Sequence, residues 1–177
     1  IKAFTIKNKG KNVNLHMTFL GNPGTGKTVV ARLLGQILHE AGVLKNNKFV
    51  ECSRESLIGM YIGETAIKTR KAIDEAMGGV LFIDEAYSLC ESEEDKVGKE
   101  IVDALLKGIE DNRDDLVVIL AGYEKDMEEF LSINQGLKSR FPNIIHFEDY
   151  TPTQMYEIAL NIAKSKGYRI AKNVKSD

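Results

Sequence analysis

Gly21-Asn22-Pro23-Gly24-Thr25-Gly26-Lys27-Thr28 satisfies the pattern G-x-x-x-x-G-K-[ST] at every fixed position. Glycines at this spacing leave backbone N–H groups unobstructed, and a helix starting behind them adds the positive end of its dipole. Such a loop suits a group carrying several negative charges, the phosphates of a nucleoside triphosphate. Asn22, Pro23, Gly24, Thr25 and Gly26 then form the cradle, Lys27 reaches the β- and γ-phosphates, and the Thr28 hydroxyl is offered to Mg2+. The pattern carries weight only between a strand and a helix. Upstream, Val13, Leu15, Met17, Phe19 and Leu20 make a short apolar run, alternating at first, that ends at Gly21. Downstream, Val29, Val30, Leu33, Leu34, Ile37, Leu38 and Ala41 recur at helical spacing, with Gly42 placed to end the helix.

Val80-Leu81-Phe82-Ile83 is an uninterrupted apolar run, the form of a parallel strand covered on both faces, and it ends on Asp84-Glu85. Open α/β sheets bind ligands beyond the C-terminal ends of their strands, which is also where the phosphate loop leaves the first strand. The sequence therefore assigns Asp84 to Mg2+ through its water shell, and Glu85 to orienting and deprotonating the attacking water. Leu116 to Ala121 reads as another buried strand, closed by Gly122-Tyr123 at the same edge. Phe49 to Cys52 and Ile144 to Phe147 supply two more strands.

Between the strands the pattern is helical. Ser53 is placed to cap a short helix through Leu57 and Ile58, and Thr65 to Met77 forms a longer one stopped by Gly78-Gly79. Ile101, Val102, Leu105, Leu106 and Ile109 make an apolar face after the charged loop Glu91 to Lys96. Glu124 to Leu131 is read as a helix ended by Asn134-Gln135-Gly136, with Leu137 to Pro142 leading into the last strand. Thr151-Pro152-Thr153-Gln154 starts a final helix, since Pro152 suits the first helical position and Gln154 lies three residues after the Thr151 cap. Ile1 to Asn12 is a poorly defined lead-in. In the loop Met60 to Glu64, Tyr61 and Ile62 taken alone read as apolar residues that staple the loop to the core.

A length of 177 residues fits one α/β domain, and 43% hydrophobic with 28% charged residues is ordinary globular composition. No apolar run approaches the ~20 residues that span a bilayer, and no signal-peptide pattern opens the chain, so a cytoplasmic protein without a membrane partner is expected. A net charge of −2 gives no footprint for gripping a nucleic-acid backbone. Cys52 and Cys90 stand far apart without metal-ligand spacing, and His16, His39 and His146 sit singly, so none is assigned chemistry.

The ordered set of phosphate loop, aromatic-aliphatic-Gly loop, apolar strand ending in Asp-Glu, second apolar strand and Ser139-Arg140-Phe141 resembles an AAA+ ATPase module, from about Leu15 into the helix after Pro152. His16-Met17, Phe82 to Leu89 and Arg113 to Tyr123 are similar to the CbbX branch, which contains red-type Rubisco activases and stage V sporulation protein K. The resemblance implies an α/β fold of the P-loop NTPase type, a five-stranded parallel sheet in the order 5-1-4-3-2 with helices on both faces. It implies a nucleotide-binding domain over 1–150 and the beginning of a helical lid over 151–177. It further implies ATP and Mg2+ as cofactors, and self-association into a hexameric ring. Within the ring Arg140 would be inserted toward a neighbour's γ-phosphate, and Tyr61, Ile62 and Gly63 would form a pore loop that grips a protein client. Many AAA+ proteins carry a sensor Asn or Thr where this chain has Gly122-Tyr123. Two other readings stay open: a DNA-acting motor, and a scaffold that assembles on ATP without threading anything.

Overall fold

Val80–Ile83 and Val117–Gly122 are buried along their whole length. Runs of this kind tolerate no wet face, so each must lie between two layers. In the computed structural model, which describes residues 14–61 and 63–168, they are β3 and β4, paired in parallel inside one sheet. β1 (Met17–Gly21), β2 (Phe49–Cys52) and β5 (Asn143–Phe147) complete it in the order β2-β3-β4-β1-β5, every pairing parallel. This is the expected order read from the opposite edge.

The pleat sends alternate residues to opposite layers. Val80 and Phe82 of β3, with Val117, Ile119 and Ala121 of β4, pack with Ala31 and Leu38 of α1 (Lys27–Glu40). Leu81, Ile83, Val118 and Leu120 face a larger layer. It is built from α2 (Arg54–Leu57), α3 (Glu64–Ala76), α4 (Lys96–Asp111), α5 (Glu124–Ile133) and α6 (Gln135–Arg140). Ile73, Ile101, Leu105, Phe130 and Leu137 fill that side. Helices thus cover both faces, as expected.

The local stop and start signals act as their chemistry dictates. Gly42 takes a left-handed φ of 72°, and Val43 N–H turns back to the Leu38 carbonyl at 2.8 Å to close α1. α7 (Pro152–Ser165) opens with the Thr151 hydroxyl accepting from Gln154 N–H while the Gln154 side chain accepts from Thr151 N–H. No residue of α7 is buried, and Met155, Ile158 and Ile162 stay exposed.

Three local readings are corrected. Asn134-Gln135-Gly136 does not release the chain into a strand lead-in: α6 follows at once and carries Arg140 at its end. Leu137, fully buried, fastens that short helix to the core, a tertiary contact that outweighs the breaker composition. A 3-10 turn over Ala86–Leu89, absent from the sequence reading, follows Glu85, with Ala86 and Leu89 buried beneath it. Tyr61 does not staple its loop to the core, since it is 73% exposed. The lead-in Ile1 to Asn12, Val13, Ile62 and 169–177 lie outside the described residues.

Candidate nucleotide site

Parallel pairing aligns the C-terminal ends of β1, β3 and β4. The phosphate loop, Asp84-Glu85 and Gly122-Tyr123 therefore emerge at one edge of the sheet, around a cavity of about 350 Å³. Gly24, Lys27, Thr28, Asp84, Glu85 and Tyr123 all line it. The sequence separated these residues by up to a hundred positions; the sheet brings them together.

Gly24 and Gly26 adopt φ of 76° and 92°, the left-handed region that glycine enters without a Cβ penalty. Gly26 is the N-cap of α1, so the first amide groups of that helix look into the cavity mouth. Inside the loop the Thr25 hydroxyl donates to the Asn22 carbonyl at 2.7 Å. Lys27 Nζ donates to the Gly21 and Asn22 carbonyls, each at 2.8 Å. Burial lowers the Lys27 pKa from its ordinary value, and the nearby Asp84 carboxylate offsets part of that fall. A phosphate anion arriving here would place further negative charge beside the ammonium and favour its protonated form. From outside, Asn22 Nδ2 donates to both Asp149 carboxylate oxygens at 3.0 and 2.9 Å, and the Tyr150 hydroxyl donates to the Thr25 carbonyl at 3.0 Å. Sequence reasoning missed this brace, because only the β1–β5 pairing places Asp149 beside Asn22.

Glu85 is the one non-glycine residue with positive φ among the described residues, at 47°. Its N–H donates to Asp84 Oδ1 at 3.0 Å, and its carbonyl accepts from Ser88 N–H at 2.8 Å. A left-handed conformation costs a non-glycine residue about 1–2 kcal/mol, so the surrounding turn must hold it there. The side chain is exposed, free to meet a ligand. Thr28 and Asp84 offer a hydroxyl and a carboxylate oxygen to the same cavity, the hard-oxygen donors that Mg2+ takes while keeping several waters. The residues present therefore fit a Mg2+–triphosphate.

Gly122 leaves no room for a side chain at the end of β4. A Cβ there would stand 2.8 Å from both Tyr87 Cδ1 and Met127 Cγ. Tyr87 in turn packs against Tyr123, ring centroids 5.9 Å apart, so the space at this strand end is filled by aromatics instead.

Arg140 does not line the cavity. Its Nη1 donates to the Gly136 carbonyl at 3.2 Å and its Nη2 to Glu110 Oε2 at 3.2 Å, with the side chain 32% exposed. Tyr61 is equally remote from the phosphate loop. Its turn is braced from below: Glu64 Oε2 accepts from Met60 N–H at 2.8 Å and from Tyr61 N–H at 3.1 Å, and Lys68 Nζ donates to the Ile58 carbonyl at 2.7 Å. Gly63, at φ 84°, caps α3. Backbone is held while the Met60 and Tyr61 side chains are thrown outward, 88% and 73% exposed. A larger cavity of about 600 Å³ lies between α3 and α4, but charged side chains such as Arg70, Lys99, Glu100 and Asp103 line it without a phosphate cradle.

Comparison with known proteins bears on this geometry. Residues 17–149 match the family described as "ATPase family associated with various cellular activities (AAA)". Stage V sporulation protein K of Bacillus subtilis (strain 168) is 50% identical over 157 residues, covering 89% of this chain and 49% of that protein. Protein CbbX of Cereibacter sphaeroides is 46% identical over 157 residues, 88% of this chain and 51% of that protein. The chloroplastic ribulose bisphosphate carboxylase/oxygenase activase of Cyanidioschyzon merolae is 44% identical over 160 residues, 90% and 55% of the two. The chain thus spans about half the length of the curated relatives it matches. Among solved structures, the FIGL-1 AAA domain in complex with ADP superimposes with a TM-score of 0.62 at 22% identity, over 86% of this chain and 49% of that one, a likeness of fold. With half of each relative matched at this identity, and the phosphate loop, Asp84-Glu85 and sheet order all in their expected places, the chain belongs to the AAA family of ATPases, in the branch of stage V sporulation protein K and CbbX.

Proposed function

We propose that this chain is the ATP-hydrolysing part of a ring that remodels a protein client. The observation that carries the reading is the convergence of Lys27, Thr28, Asp84 and Glu85 on one cavity. The amides of Gly24 to Thr28 and the Lys27 ammonium hold the phosphates, while Thr28 and Asp84 hold Mg2+. Mg2+ held there would supply positive charge to offset that of the phosphates. Glu85, fixed at its strained turn and exposed to the cavity, accepts the proton of the attacking water. Arg140 belongs in this scheme to the neighbouring subunit's site, in keeping with its place off the cavity of its own chain. Tyr61 lies on a braced, solvent-facing turn, the arrangement suited to wedging an aromatic ring against a polypeptide without sequence-specific bonds. α7, with its exposed apolar residues, is read as the first helix of the lid that completes the nucleotide-binding domain.

The relative named as an activase of ribulose bisphosphate carboxylase/oxygenase acts, by that name, on a protein, which favours a protein client over DNA, and the net charge of −2 agrees. No helix among the described residues is long and apolar enough to cross a membrane. The test is Glu85→Gln in the full-length protein. ATP binding is expected to persist while turnover falls by about 10² or more, the scale of a lost general base. Proteins retained on this variant in ATP would name the client; retention of DNA alone would overturn the remodelling reading, and wild-type turnover would overturn the hydrolytic one.

A further inference from the structure

Arg54 opens α2 but does not lie on the surface: its side chain is 22% exposed and that of its partner Asp95 is 14% exposed. Its Nη1 stands 2.8 Å from the Ser88 carbonyl, 2.7 Å from the Leu89 carbonyl and 2.7 Å from Asp95 Oδ2. Asp95 is itself committed, since its Oδ1 accepts from Gly98 N–H at 2.8 Å and so caps α4. Hydrogen bonding to Asp95 raises the Arg54 pKa, and the guanidinium in return holds the Asp95 carboxyl below its ordinary range. The start of α4 is pressed against the same knot: a Cβ on Gly98 would lie 2.5 Å from the Leu89 carbonyl oxygen and 2.7 Å from Cys90 Cα.

The acceptors are informative because of what they belong to. Ser88 and Leu89 close the 3-10 turn that begins at Glu85, and Ser88 N–H is bonded to the Glu85 carbonyl at 2.8 Å. One residue, Ser88, thus links the guanidinium to the Glu85 carbonyl, accepting from Arg54 through its own carbonyl and donating through its N–H. An exposed ion pair is screened by water and fixes little. A largely buried Nη1 that meets one carboxylate and two carbonyls ties the turn and the start of α4 to one point.

The geometry points to Arg54 as a positioning residue for ATP hydrolysis: by clamping the Ser88 and Leu89 carbonyls to Asp95, it holds the turn that keeps the Glu85 carboxylate at the phosphate-loop cavity. This rests on the reading of Glu85 as the water-activating group. Arg54 does not line the phosphate-loop cavity, so its removal should act on the chemical step and spare binding.

The test compares steady-state ATPase of the full-length protein as wild type, Arg54→Met, Arg54→Lys, Glu85→Gln and the Arg54→Met/Glu85→Gln double variant. Arg54→Met is expected to lower kcat by about 10-fold or more with the KM for ATP changed by less than about threefold, and Arg54→Lys to recover part of the loss. In the Glu85→Gln background, adding Arg54→Met should change the residual turnover by less than about twofold, because the group it positions is already gone. Wild-type kcat in folded Arg54→Met, or the same fractional loss in both backgrounds, overturns the proposal. Where Arg54→Met does not fold, Arg54→Gln takes its place with the same expected split and the same overturning result. Wild-type turnover in Glu85→Gln alone is a different failure, that of the Glu85 reading.

Discussion

His16 sits at the residue scale as a pH-sensitive part of the core. It is 3% exposed, tilted against Phe141, and its Nδ1 accepts from Val118 N–H at 3.0 Å across the sheet. That acceptor role needs the neutral ring. Burial, with the Arg113 charge adding to it, lowers its pKa from 6.5 to about 4. Between those values the unfolded chain binds a proton that the native chain refuses, so native stability is complete above the ordinary value and is lost as pH falls toward the native one. The full difference corresponds to on the order of 3 kcal/mol. Urea midpoints measured from about pH 7.5 down to about pH 5 should fall along this slope, and His16→Gln should flatten it; equal slopes in the two proteins would count against the account. This residue's state was not legible in sequence, because a lone histidine before a strand acquires its environment only from the β4 amide and the tilted Phe141 ring beside it. Glu85 shows the reverse case. Its identity was legible from Asp84-Glu85 at a strand end, whereas its left-handed φ of 47° depends on the turn anchored by buried Ala86 and Leu89.

At the scale of elements, apolar runs and end signals were the legible part. The β3 and β4 segments contain too little polar alternation to have a wet face, and the helix ends at Gly42, Gly78 and Thr151 follow from local chemistry. What sequence misjudged were short elements whose local composition contradicts their tertiary use. α6 contains a glycine and follows an asparagine, yet Leu137 anchors it. In the aromatic loop, local hydrophobicity assigns Tyr61 to the core, yet Glu64 and Lys68 brace the backbone and the Tyr61 side chain faces solvent, as does that of Met60. Maintaining an exposed aromatic in this way makes sense for contact with something else. Tyr61→Ala in the full-length protein should leave ATP turnover without client within about twofold, because the ring is remote from the cavity, and should abolish client-stimulated turnover and remodelling of whatever protein Glu85→Gln captures. Unchanged remodelling would return the loop to the scaffold reading.

At the scale of the whole molecule, Arg140 stands apart from the other proposed catalytic groups. One cavity gathers Lys27, Thr28, Asp84 and Glu85, while Arg140 is held at the far end of α6 by Glu110 and the Gly136 carbonyl. On the proposed reading, a neighbouring copy brings its Arg140 to the cavity, because the chain's own Arg140 does not line it. Two inactive variants should therefore repair each other. Arg140→Ala keeps its own Glu85 but offers its neighbour nothing; Glu85→Gln cannot hydrolyse but still offers Arg140. Mixed in equal amounts as full-length proteins with ATP, they should form some interfaces pairing an intact Glu85 with an intact Arg140. The mixture is expected to hydrolyse ATP well above the sum of the separate variants, by about tenfold if Arg140 contributes even the lower part of the 10³–10⁵ seen for such fingers elsewhere. Specific activity of the wild type should rise with protein concentration for the same reason. Strict additivity in the mixture, together with full activity in dilute monomer, would place Arg140 in a structural bridge to Glu110 and leave the catalytic site complete within a single chain.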